Sequence, residues 1–141
     1  MKITRNIILL LLAVSLFWLL SGCQSDTSPQ EETTLILDLA SIPLEQALSN
    51  GKPTLAEFGR GVCVPCKEMK PILEELATEY QGNLNVVIVE VDDRMDQVRQ
   101  YGIMAIPTQI VFDSNGNKIT RHVGFWPKEE MVEQFRNMGI E

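Results

Sequence analysis

Two cysteines separated by only two residues, Cys63 and Cys66, stand where a strand-like segment gives way to a helix-like one. A loop that short makes a poor structural staple, because the stabilisation from closing a loop grows with its length. The spacing serves either reversible redox chemistry or half of a zinc site. Zinc wants four ligands, and the chain has no second cysteine pair. Its one histidine, His122, stands alone on a strand-like segment and is expected to be an ordinary exposed or half-buried residue. The pattern therefore points to a redox-active dithiol, with no metal and no cofactor beyond the disulfide itself. Any fold for this chain must hold Cys63-Val64-Pro65-Cys66 at a strand–helix junction.

Hydrophobic periodicity supplies the rest of the frame. Thr34 to Leu39 suits a short strand, and Pro43 opens a brief helix that Asn50-Gly51 ends. Thr54–Phe58 is a second strand. Lys67–Tyr80 reads as a helix, since Met69, Ile72, Leu73, Leu76, Ala77 and Tyr80 recur at three- and four-residue steps, with a kink expected at Pro71. Leu84–Val91 is apolar and β-branched, a buried strand of parallel type. Arg94–Tyr101 is a short helix ended by Gly102. Thr108–Phe112 and Lys118–Val123 flank Ser114-Asn115-Gly116, a hairpin signal. Pro127 opens a last amphipathic helix with Met131, Val132 and Phe135 inward. No internal repeat is present.

This order, with the cysteine pair between second strand and second helix, resembles the thioredoxin fold, an α/β architecture with a central mixed sheet flanked by helices. The resemblance covers about residues 34–138. It is carried by Ala56-Glu57-Phe58 ahead of Cys63, by Cys63-Val64-Pro65-Cys66-Lys67, and by Pro71-Ile72-Leu73. Tyr101-Gly102-Ile103, Ile106-Pro107-Thr108, the Asn-Gly hairpin and Val123-Gly124 complete it. The sequence departs from the family at four places. Val62 stands where a tryptophan usually precedes the first cysteine, and Val64-Pro65 replaces Gly-Pro. Ile88 replaces a buried lysine, and Ala105 a glycine.

A thiolate attacks disulfides and a thiol does not. Cys63, at the start of a helix, would face unpaired N–H groups and the positive end of the dipole, which lower a thiol pKa. Arg60, Lys67 and Lys70 would add positive potential. Cys66, one turn further in, would stay protonated until it resolves the mixed disulfide. The resemblance implies more. Glu57 takes the place of a buried aspartate that accepts the proton of Cys66. Pro107 corresponds to a cis-proline that leaves the backbone of Ile106 free to pair with a substrate strand. Gly124, Phe125 and Trp126 lie at the rim of the substrate groove, where the aromatics would replace the missing tryptophan surface, or would serve as a helix-capping staple.

The N-terminus has its own logic. Lys2 and Arg5 precede Ile7–Leu20, in which Ser15 is the only polar residue. That run is shorter than the roughly 20 residues a membrane helix needs, so residues 1–22 read as a signal peptide. Its end, Leu20-Ser21-Gly22-Cys23, resembles a bacterial lipobox, which implies lipidation of Cys23. The alternatives are an uncleaved anchor and a secreted form with Cys23 free. Residues 23–33 read as a solvated tether and 34–141 as the folded domain. With Lys plus Arg at 12 against Asp plus Glu at 19, the net charge is −7. An acidic chain of this kind is unsuited to phosphate backbones, so nucleic acid is excluded as a partner.

Together these imply an extracytoplasmic, lipid-anchored thiol–disulfide oxidoreductase on the outer side of a bacterial membrane, a monomer serving cell redox homeostasis. The reducing direction is expected, because no histidine between the cysteines stabilises the thiolate. A reductant there needs a membrane thiol electron carrier, and its clients are exported protein disulfides, apocytochromes c among the candidates. The alternatives are a disulfide oxidase or isomerase, and a non-catalytic client- or metal-binding module of the same fold.

Overall fold

The computed structural model describes residues 42–141. The signal peptide, Cys23, the tether and the strand expected over residues 34–39 lie outside the described residues. Along the described chain run α1 (Leu44–Ser49), β1 (Thr54–Gly59), α2 (Val64–Glu79), β2 (Asn85–Glu90), α3 (Met95–Gln100), β3 (Thr108–Phe112), β4 (Lys118–Val123) and α4 (Lys128–Asn137). The sheet order is β2-β1-β3-β4. β1 pairs parallel with β2 and antiparallel with β3, so the sheet is mixed as expected.

Every residue of β1 is buried because the strand is covered on both faces. Alternation sends Leu55, Glu57 and Gly59 to one side and Thr54, Ala56 and Phe58 to the other. On the first side Leu55, Val86 and Val111 pack against Met69, Leu73 and Leu76 of α2 and Met131 and Phe135 of α4. On the second, Ala56, Phe58, Val87, Val89, Ile110 and Phe112 meet Leu44 and Ala47 of α1, with Ile103. Two apolar layers thus fix β1 at the centre.

The helix after the cysteines starts at Val64 rather than Lys67. Pro65 falls in its first turn, where the missing N–H has no intrahelical acceptor in any case and the ring presets φ. Pro71 lies on the exposed side and the helix runs on through it. In the hairpin, Asn117 Nδ2 donates to Asp113 Oδ2 (3.0 Å) and the N–H groups of Asn117 and Asn115 donate to its Oδ1 (2.8 Å each), bonds that hold its carboxyl below the usual range. Gly116 supplies the positive φ of 79° that this turn requires. The register β1–β3–β4 brings the end of β1, the start of β3 and the end of β4 to one edge of the molecule. Three loops converge there, and they carry most of the chemistry.

Candidate active site

Cys63 and Cys66 form a disulfide with Cα atoms 5.3 Å apart. Cys63 is the N-cap of α2 and its Sγ accepts the Cys66 backbone N–H at 3.3 Å. An orphan N–H of the first turn therefore points at the sulfur that becomes the outer thiolate on reduction. Cys66 is 8% exposed and heads the buried stripe of α2. The asymmetry is geometric. One sulfur meets helix N–H and solvent, and the other is turned into the protein.

Of the three cations expected beside the disulfide, Lys67 is exposed and the other two face acids. Arg60 is engaged by Asp92 at 2.6 Å, and Lys70 reaches Glu74 at 4.0 Å. Val62 and Val64, 77% and 66% exposed, flank the disulfide instead, so its approach is apolar. From the neighbouring loop comes Pro107, buried, with the Ile106–Pro107 peptide cis. Thr108 Oγ1 donates to Ala105 O at 2.7 Å, and Gly124 N–H donates to Pro107 O at 2.8 Å. Gly124 adopts φ 98°, which a side chain would strain. The Ile106–Pro107 loop is thereby tied to the end of β4, with Ile106 half-buried.

Phe125 and Trp126 part company. Phe125 offers surface at 43% exposed, but Trp126 is 6% exposed and belongs to the α2–α4 core. Its backbone N–H donates to Met69 Sδ (3.3 Å), and its ring stacks on His122 with centroids 4.8 Å apart. The expectation that both aromatics replace lost tryptophan surface is corrected for Trp126. Packing against α2 draws that ring inward. His122 is half-buried, with Nε2 3.1 Å from Phe125 O.

Glu57 is 2% exposed, on the side of the sheet that α2 covers. Burial, then the charge of Glu90, push its carboxyl up to about 7. Its Oε1 has no hydrogen-bond partner among the described residues. Across the parallel pair stands Ile88, half-buried, so no cation faces the acid from that position. Across the antiparallel pair stands Gln109, fully buried with both amide atoms unpartnered among the described residues. Glu90, on β2, accepts the Gly61 N–H at 3.3 Å.

Glu90, Gln109 and Gly59 are absent from the sequence-based site. A signal existed for Gly59, which stands two residues after Glu57 in the same strand and so shares its face. Gln109 was masked, because a strand buried on both faces gives no alternation to expose a polar intruder. No group of three or more His, Cys, Asp or Glu residues suited to a metal occurs among the described residues.

The family model described as Thioredoxin matches residues 36–137. A thioredoxin of Alicyclobacillus acidocaldarius is 33% identical over 102 residues, 72% of this chain and 96% of the relative. A thioredoxin of Staphylococcus aureus is 40% identical over 79 residues, covering 56% of this chain and 75% of the relative. Among solved structures, a mutant thioredoxin from Halobacterium salinarum is similar with TM-score 0.61 and 26% identity, over 67% of this chain and 80% of that one.

Proposed function

This chain belongs to the thioredoxin family, and from that premise we propose that it is a membrane-tethered, extracytoplasmic reductant of disulfides in exported proteins. It is a thiol–disulfide oxidoreductase whose redox group is its own Cys63–Cys66 pair, and thioredoxins need no cofactor. The observation that carries the mechanism is the Cys66 N–H aimed at Cys63 Sγ.

In the reduced protein the Cys63 thiolate attacks one sulfur of a client disulfide. A Cys63–client disulfide forms, and the client's other sulfur leaves as a thiolate that takes a proton from water. Cys66 then passes its proton to Glu57 and attacks Cys63 Sγ. The second client thiolate departs, two electrons have moved to the client, and the Cys63–Cys66 disulfide is closed. Ile106, Pro107, Gly124 and Phe125 line the client's approach, while Trp126 supports them from the core.

The reducing direction is supported by the thiolate's surroundings, where Val62 and Val64 carry no charge and Arg60 is held by Asp92. A thiolate without an ionic partner gains little stability, which keeps the dithiol a good donor. Electrons would come from a thiol carrier in the membrane. Attachment rests on Cys23 and the apolar run before it. Among the described residues no helix is long and apolar enough to cross a membrane.

Trapping tests the assignment. Cys66→Ser should accumulate client mixed disulfides through Cys63, and Cys63→Ser none. A titration of the pair in glutathione buffers should give about −220 to −280 mV, and a value above about −160 mV would make the protein an oxidase or isomerase. Cys23→Ser should release the protein from membranes. Full membrane retention would instead favour an uncleaved anchor.

A further inference from the structure

Gly59 closes β1 on the face that carries Glu57, the side covered by α2. Glycine weakens a strand, so its presence in a fully buried one asks for a reason. Backbone conformation is not that reason, because Gly59 is not among the glycines with positive φ. Space is. A Cβ at this position would lie 2.6 Å from Glu57 Oε1, 2.9 Å from Oε2 and 3.0 Å from Cδ. The glutamate carboxyl therefore lies forward along its own strand, in the volume a side chain at 59 would occupy.

We propose that Gly59 is a positioning residue for Glu57, its bare Cα forming the seat on which the longer acid folds its carboxyl behind Cys66. The inference rests on the reading of Glu57 as proton acceptor and adds a steric rule to it. A glutamate at 57 requires no side chain at 59, whereas an aspartate, one methylene shorter, does not reach that volume. The colliding atoms are the far end of a flexible side chain, so a methyl group at 59 moves the carboxyl before it moves the sheet.

Burial first, and then the charge of Glu90, set the titration of this acid, and several other groups face it. Glu90 comes from β2, and Cys66 heads the buried stripe of α2. The neutral Gln109 amide lies across β3, and His122 follows it on β4, stacked on Trp126. A carboxyl driven off its seat changes its distance to all of them and its access to water.

The test is a pH titration of the Glu57 side-chain carboxyl by 13C NMR in the oxidised full-length chain, paired with the pH profile of the resolution step. Gly59→Ala should move the Glu57 midpoint by about one unit or more and shift the profile with it. Glu57→Asp with Gly59→Ala should match Glu57→Asp alone, since the shorter acid is indifferent to the methyl group. An unmoved midpoint in Gly59→Ala overturns the proposal, as does an equal effect of the methyl group in both backgrounds. Should Gly59→Ala fail to fold while the double variant folds, the steric coupling is shown by folding itself. Failure of both would place the conflict elsewhere and overturn it. A midpoint that moves while the resolution rate stays constant keeps the seat and removes Glu57 from the proton transfer.

Discussion

Val62 and Val64 beside the disulfide, and Met104 and Phe125 on the loops at the same edge of the sheet, expose apolar surface, whereas Glu57 and Gln109 lie buried within the sheet with polar atoms unpartnered among the described residues. A surface exposing Met104 at 95% gains by burying against a partner, at roughly 25 cal/mol per Å² of apolar area covered. A buried carboxyl does the reverse, since leaving it charged costs folding free energy. Under the proposed function the two sides divide the work. Attack and client contact would fall to the front, where Cys63 meets a helix N–H, and proton handling to the back, where Cys66 and Glu57 are buried.

Phe125 and Trp126 are neighbours in sequence on opposite sides of this divide, so Trp126 gives the largest test. Trp126→Ala should cost about 3–5 kcal/mol in denaturant unfolding, the range for an aromatic core truncation. A loss under about 1 kcal/mol would return Trp126 to the surface and weaken the distinction. Next in size is Glu57→Gln. The folded protein holds this proton more tightly than the unfolded chain, with a carboxyl at about 7 against 4.5. Stability should be full below pH about 4.5, fall as pH rises to about 7, and stay reduced above, by about 3 kcal/mol. Glu57→Gln should erase that slope, matching the natural protein at pH 4 and exceeding it at pH 8 in urea unfolding. Parallel stability curves for the two proteins would mean that the acid is solvated. The smallest effect belongs to the front. Phe125→Ala should leave stability within about 0.5 kcal/mol. It should raise KM for protein disulfides a few-fold, about 1 kcal/mol, with small disulfides unaffected. Equal changes for both substrates would assign Phe125 to packing.

The front was the more legible side. Cysteine spacing, Ile106-Pro107-Thr108 and the Asn-Gly turn are local patterns, and the hairpin and the cis peptide lie where they were expected. The apolar periodicity becomes readable only from Lys67, whereas the helix begins at Val64 with Cys63 as its cap, and a proline in the first turn costs a helix nothing. The back depends on non-local packing. The inward turn of Trp126 goes with a core that includes Met69, 57 positions away in the chain, and Phe135. The burial of Glu57 was implied by the family resemblance, but its use of the Gly59 volume depends on a side-chain conformation no pattern encodes. Glu90 reaches the same place through strand pairing alone.

The division of labour is tested most directly by the rate at which Cys66 resolves a preformed Cys63 mixed disulfide, followed by stopped flow from pH 5 to 9 in the natural protein and in Glu57→Gln. Only the charged carboxylate can take the proton, so the natural protein should slow as pH falls through about 7. Glu57→Gln should be slower by about 10²-fold at pH 8 and lack that inflection. Superimposable profiles for the two proteins would contradict the account and leave Cys66 to lose its proton directly to solvent.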